Sequence, residues 1–209
     1  MKKYMDKLKN SIHINKNLFV FLLVIVIVGV VSGSIFSAII DTHDKKMVVD
    51  YLTEFFNNVK SGKLNYDTSI INTLFFTVGS AIIIWLLGVS VIGFFIVLFM
   101  LFMKAFVLGF SIGSIIINFK LKGILIGTIY AFPHQIINIL VFMLLSAYAL
   151  IVSFKIMKCM TGKKTLDFKG IMNRYMTVLL FSGIVLIITS VYEVYLMPKL
   201  LNIIMGIIK

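Results

Sequence analysis

Apolar residues along this chain come in long runs, and polar residues fall between the runs rather than alternating with them. The first uncharged stretch, 18–40, is 23 residues long, enough for a helix rising about 1.5 Å per residue to cross a hydrocarbon core of about 30 Å. A polar stretch follows at 41–68 and holds five of the eight acidic residues, Asp41, Asp44, Asp50, Glu54 and Asp67. Within it Val48, Leu52, Phe55, Phe56 and Val59 recur near helical spacing, which predicts a short amphipathic helix stopped by Ser61 and Gly62. From 69 to 118 the only formal charge is Lys104. Fifty helical residues would reach about 75 Å, more than two bilayer cores, so this run must fold back. Leu87-Gly88-Val89 is the best turn candidate and gives spans at about 70–87 and 89–117.

The next apolar run, 123–154, is interrupted by Pro133, His134, Gln135 and Asn138. Proline inside a helix removes a donor and kinks or breaks it, so 123–132 reads as a half-helix and 136–154 as a full span. A last span at 175–197 is closed by Pro198. The predicted fold is all-α. It is a single polytopic membrane domain, 1–209, with about five transmembrane helices, a broken or re-entrant half-helix and an external amphipathic helix.

Composition agrees with that reading. The 209 residues are 60% hydrophobic and 13% charged, against about 25% charged in a soluble domain. Such a chain has no room for a water-soluble core, and the lipid bilayer is its first partner. The net charge of +12 flanks the apolar runs instead of forming one basic face, which sets topology and excludes nucleic acid as the expected partner. Lys2, Lys3, Lys7, Lys9 and Lys16, together with Lys155, Lys158, Lys163, Lys164, Lys169 and Arg174, are assigned to the cytoplasmic side by the positive-inside rule. That leaves 11 basic residues inside, eight outside and one in the membrane, with the N-terminus cytoplasmic and the C-terminus outside. The first span reads as uncleaved, because a signal peptide's apolar region is about 7–15 residues and Ser34, Ser37 and Ala38 imitate its cleavage site only weakly.

Candidate chemistry is sparse. One cysteine, Cys159, allows no internal disulfide, and His13, His43 and His134 lie too far apart in sequence for a ligand motif, so no metal and no cofactor is expected. Cys159 beside a lysine cluster reads as an incidental thiol before a palmitoylation site. No aspartate lies in a span, glutamate occurs there only as Glu193, and no serine elbow partners His134; the chain is not expected to be an enzyme. Lys104 has two readings: an ammonium paired in a cavity, or a side chain snorkelling to an interface. Lys104, Pro133, His134, Gln135 and Asn138 form the candidate intramembrane cluster, since broken backbone at membrane depth lines cavities or packs against helices. His134 itself reads first as a hydrogen-bonded packing device. Gly29, Gly33 and Ser37 in the first span, and Ala105, Gly109 and Gly113 in the third, recur every four residues as small faces for close helix packing. Packing within one chain is the first reading and a homo-oligomer the second.

The layout of basic tail, span, acidic loop, glycine-spaced spans, Pro-His break and basic loop resembles the stage II sporulation protein M family over nearly the whole chain. Asn72 begins a span as in that family, and Gly88 sits at its turn. The run Phe102-Met103-Lys104-Ala105-Phe106-Val107-Leu108-Gly109 is similar to the family's apolar stretch, with Lys104 and Ala105 in place of Asn and Gly. Pro133-His134-Gln135-Ile136-Ile137-Asn138 is similar to its Pro-His-Gly-x-x-Glu signature, with Gln135 and Asn138 in place of Gly and Glu. The resemblance implies a cell-membrane protein of the sporulation septum or engulfing membrane that anchors the peptidoglycan-degrading stage II sporulation proteins D and P during forespore engulfment. Under that scaffold reading Val48, Leu52, Phe55 and Phe56 are the candidate partner contacts. The alternative is a permease or channel component using the broken 123–135 segment and Lys104.

Overall fold

A computed structural model describes residues 16–62, 66–160, 162 and 168–207. All the described secondary structure is helical: α1 (Lys16–Ile39), α2 (Thr42–Ser61), α3 (Tyr66–Gly88), α4 (Gly93–Ala131), α5 (His134–Met160), α6 (Phe168–Val191), a π-helical turn (Tyr192–Leu196) and α7 (Met197–Ile207). Five of these segments are long and apolar enough to cross a membrane. The lysines at 2, 3, 7 and 9, and Lys163 and Lys164, lie outside the described residues.

α5 is the central helix and touches α1, α3, α4 and α6. The main core gathers around it from Leu22, Ile84, Val97, Leu101, Leu145, Leu150, Tyr175 and Leu186. Large apolar side chains such as Phe21, Phe75, Phe95, Phe181 and Ile188 point outward. Outward-facing large apolar side chains suit a lipid solvent, in which small residues at the helix interfaces let the backbones approach closely. α5 and α6 accordingly bury Ser146, Ala147, Ala149, Ser153, Ser182 and Ser190.

α4 is two helices end to end. Lys120 adopts φ 52 and ψ −128, a left-handed region that an L side chain rarely occupies, and the chain reverses there. The returning segment packs against the one it left: a Cβ on Gly123 would fall against the Ile115 carbonyl, and Gly127 faces Ile112, Ile115 and Ile116. Glycine at 123 is what lets the two backbones approach so closely. The half-helix then ends at Pro133, which follows a cis peptide bond and whose carbonyl accepts from Ile137 N–H at 3.1 Å as α5 begins.

Several boundaries differ from those expected from sequence: α5 runs on to Met160 rather than ending at 154, and α6 begins at Phe168 rather than 175. The turn between α3 and α4 falls at 89–92, and Gly88 is the last helical residue rather than the turn itself. A Cβ at Gly88 would strike the Tyr175 hydroxyl and Ala149, so the glycine is there for helix contact. Pro198 does not close the last span. The Met197 N–H reaches back to Tyr192 O in a π turn, and this wider turn accommodates the proline ring, which would otherwise clash with the carbonyl four residues earlier. The helix then continues to Ile207.

α2 ends as the sequence predicts: Gly62 has φ 64 and its N–H caps the Asn58 and Val59 carbonyls. Its apolar face lies on the bundle. Phe56 and Val59 are buried with Ile115, Ile126, Met197 and Leu201, and Phe56 meets the Phe119 ring edge-on at 5.2 Å.

Candidate functional site

Among the residues of α3 whose burial is described, from Ser69 on, the buried ones are Ala81, Ile84 and Gly88, all in its C-terminal half. Its other half, from Ser69 to Thr77, borders open space instead of the core. One part of this space is a cavity of about 420 Å3 whose polar lining is made by Thr77, Lys104, Ser111, Gln135, Asn138 and Glu193. Its apolar wall includes Met103, Val107 and Ile139.

Lys104 projects from the middle of the first part of α4, with its ammonium 4.9 Å from the centre of the Phe142 ring. A cation over an aromatic face is partly compensated by the ring quadrupole. Glu193 reaches the same cavity from the π turn. The two opposite charges act on one another across the space, but no ion pair within 4.0 Å joins them. Asn138 is 7% exposed and its side-chain oxygen accepts from the Thr189 hydroxyl, which fixes the amide from across the α5–α6 contact.

Above this cavity lies a second of about 800 Å3, covered by α2 through Tyr51, Leu52 and Phe55 and floored by Pro198 and Leu201. Ser111, Tyr130 and Glu193 line both spaces. Tyr130 and Ser111 stand together at this waist. Ser114, 3% exposed, lines the upper space with a hydroxyl that has no partner among the described residues.

Of the cluster expected from sequence, the fold brings Lys104, Gln135 and Asn138 to one wall and leaves Pro133 and His134 off it. His134 is fully buried between the Tyr130 and Tyr192 rings, at 6.1 and 5.8 Å. It packs there, but neither ring nitrogen has a hydrogen-bond partner among the described residues, which corrects the hydrogen-bonded role expected of it. Glu193, Ser111, Tyr130 and Thr77 were not in the expected cluster. Glu193 carries a visible signal as the sole acidic residue of a span, but its sharing a cavity with a lysine 89 positions earlier in the chain is not visible in sequence.

The two small faces meet each other. A Cβ on Gly29 would press on Ala105, one on Gly33 would strike the Phe106 carbonyl, one on Gly109 the Val30 carbonyl, and one on Gly113 the Ser37 hydroxyl. The partner-contact residues need correction. Phe56 is buried and Leu52 and Phe55 are packed against the same cluster, so their apolar surface is already used within the chain; Val48 is half-buried and lines the upper cavity. Free Cys159 is half-buried near the end of α5. No group of three His, Cys, Asp or Glu side chains among the described residues is placed to hold a metal ion.

The family model described as Stage II sporulation protein M matches residues 18–198. The chain belongs to the stage II sporulation protein M family. The match runs from near the start of α1 through the π turn to Pro198, and so takes in the whole lining of the smaller cavity and all of the larger one's except Leu201. As a member of this sporulation family with five apolar helices of spanning length, the chain is a multi-pass membrane protein. Comparison with curated proteins and with solved structures returned no match.

Proposed function

We propose that this stage II sporulation protein M family member is a non-enzymatic membrane scaffold that anchors a peptidoglycan-remodelling complex during forespore engulfment, with the stage II sporulation proteins D and P as its partners. The single observation that carries this reading is the family match over 18–198. The form of the molecule supports it. α2 is clamped to one end of the bundle by Phe56 and Val59, and its other side carries the exposed Asp50, Tyr51 and Glu54. A helix fixed in this way offers a rigid surface, and anchoring to a membrane raises local concentration without any new contact. The docking residues are therefore Asp50, Tyr51 and Glu54 rather than the buried phenylalanine.

The test is capture of the tagged protein from sporulating cells, with the hydrolases followed by blotting and by fluorescence at the septum. Tyr51→Ala combined with Glu54→Lys is expected to reduce hydrolase recovery at least tenfold while the variant still inserts. Full recruitment by an inserted double variant would remove α2 from the mechanism. A second reading, a permease or channel component, is favoured by the charged cavity at Lys104. It predicts that Lys104→Met abolishes engulfment while recruitment stays intact.

A further inference from the structure

Lys104 and Glu193 both line the 420 Å3 cavity, and they do not form an ion pair with one another. Charges at bilayer depth are costly and face a partner or a polar occupant. A direct Lys–Glu contact would satisfy both groups, yet the fold holds them apart on different helices. Each of the simpler occupants leaves something unmet. An anion would compensate Lys104 alone, a cation Glu193 alone, and a lipid tail neither. A molecule with an anionic and a cationic group on one small frame compensates both.

The remaining walls fit such a molecule. Gln135, Asn138 and Thr77 offer amide and hydroxyl groups to the same cavity as the charges, and Met103, Val107 and Ile139 add apolar surface to its lining. Asn138 is fixed by Thr189 and Lys104 is set over Phe142, so the polar groups are held before any ligand arrives. The volume falls within the usual range for small-molecule sites, about 300–1,000 Å3. Ser114 has a buried hydroxyl without a hydrogen-bond partner among the described residues, and it lines the adjoining space.

We propose that the Lys104–Glu193 cavity binds a small zwitterion of the α-amino acid type, its carboxylate on the Lys104 ammonium, its ammonium on the Glu193 carboxylate and its side chain against Met103, Val107 and Ile139. This goes beyond both functional readings, because binding requires neither a hydrolase partner nor translocation.

The test uses the full chain in lipid nanodiscs. Thermal unfolding is followed with each of the 20 common α-amino acids, and with amines and carboxylic acids that carry the same side chains but one charge. A ligand at free concentration c that binds only the folded state stabilises it by RT ln(1 + c/Kd) and so raises the melting temperature as c exceeds Kd. At least one amino acid with an apolar side chain should raise it, and titration calorimetry should show at least tenfold weaker binding of the singly charged analogues. Lys104→Met and Glu193→Gln should each weaken binding at least tenfold, and Lys104→Arg should retain more of it than Lys104→Met. Should Lys104→Met fail to fold, Lys104→Gln takes its place. The proposal is overturned if no amino acid stabilises the wild-type protein, if the singly charged analogues bind as well as the zwitterion, or if the Lys104 and Glu193 variants bind like wild type. Hydrolase recruitment is read separately and is unaffected by these outcomes.

Discussion

The Ser34 hydroxyl lies 3.0 Å from the carbonyl oxygen of Gly109, across a helix contact that joins residues 75 positions apart. The same hydroxyl is 3.0 Å from Val30 O on its own helix. This bond is possible only because Gly109 has no side chain to hold α1 away from α4, and it adds directionality to a contact otherwise made by van der Waals packing.

Gly109→Ala and Gly33→Ala are each expected to lower stability by about 1–3 kcal/mol, the usual range for overpacking, since each new methyl group would meet a backbone carbonyl that cannot rotate away. Leucine at either position should cost more and reduce the amount of inserted protein. Gly79→Ala is the control, because nothing lies within 4 Å of its added methyl group. Thermal denaturation of the purified protein in detergent, read by size-exclusion chromatography, checks the set; equal melting temperatures for all three would show that α1 does not pack closely on α4.

Tyr175 is fully buried and donates to Trp85 O at 2.9 Å, its ring stacked on the indole at 5.6 Å. Tyr175→Phe should keep the stacking and lose the hydrogen bond, a cost of about 1 kcal/mol. The chain has one tryptophan, so its fluorescence reports this contact alone. Emission should be nearly unchanged in Tyr175→Phe and altered in Tyr175→Ala.

Freeing α2 is the test of its docking. Phe56→Ala is expected to cost about 3–5 kcal/mol if the site does not collapse. Hydrogen exchange should accelerate across 42–61 and remain slow in α5. Unchanged exchange in α2 would mean that Phe56 does not hold the helix to the bundle.

Lys120 occupies a backbone conformation that glycine adopts freely. Lys120→Gly is expected to be neutral or to stabilise by up to about 1 kcal/mol, whereas Lys120→Val should destabilise, because a β-branched side chain is disfavoured at positive φ. A melting-temperature order of Val above Gly would contradict the reversal at this residue.

Orientation can be read with an impermeant maleimide in a Cys159→Ser background. Cysteine at Ser61 or Lys199 should label from outside intact cells, and cysteine at Lys155 should label only after permeabilisation. Labelling of Lys155→Cys in intact cells would invert the assignment made from the basic residues.

Much of the fold could be read in advance because each step depended on length or on a single residue. The run 69–118 was too long for one crossing, and Pro133 marked where the next helix had to break. Gly62 marked the end of α2 for a similar reason, since the helix stop is written in local backbone geometry. What could not be read was contact between distant segments. Amphipathic spacing showed that Phe56 had an apolar side but not that Met197 and Leu201 would cover it. Lys104 and Glu193 each stood out in sequence, yet their shared cavity depends on the π turn at 192–196 and on α3 leaving the core at Thr77. Pro198 is the opposite case: in sequence it reads as a helix end, and a wider turn absorbs it.

The reversal at Lys120 also changes how the chain would be counted from its ends. The half-helix 121–131 takes polypeptide into bilayer depth and hands it to α5 without adding a crossing. Five crossings are an odd number, so reporters fused before α1 and after α7 would register on opposite sides whether or not this segment existed. Had 121–131 run through to the far side, the parity would have been even and the same reporters would agree. A map drawn only from the chain ends would therefore be correct in its count and would still miss the segment that carries Tyr130 into the cavity.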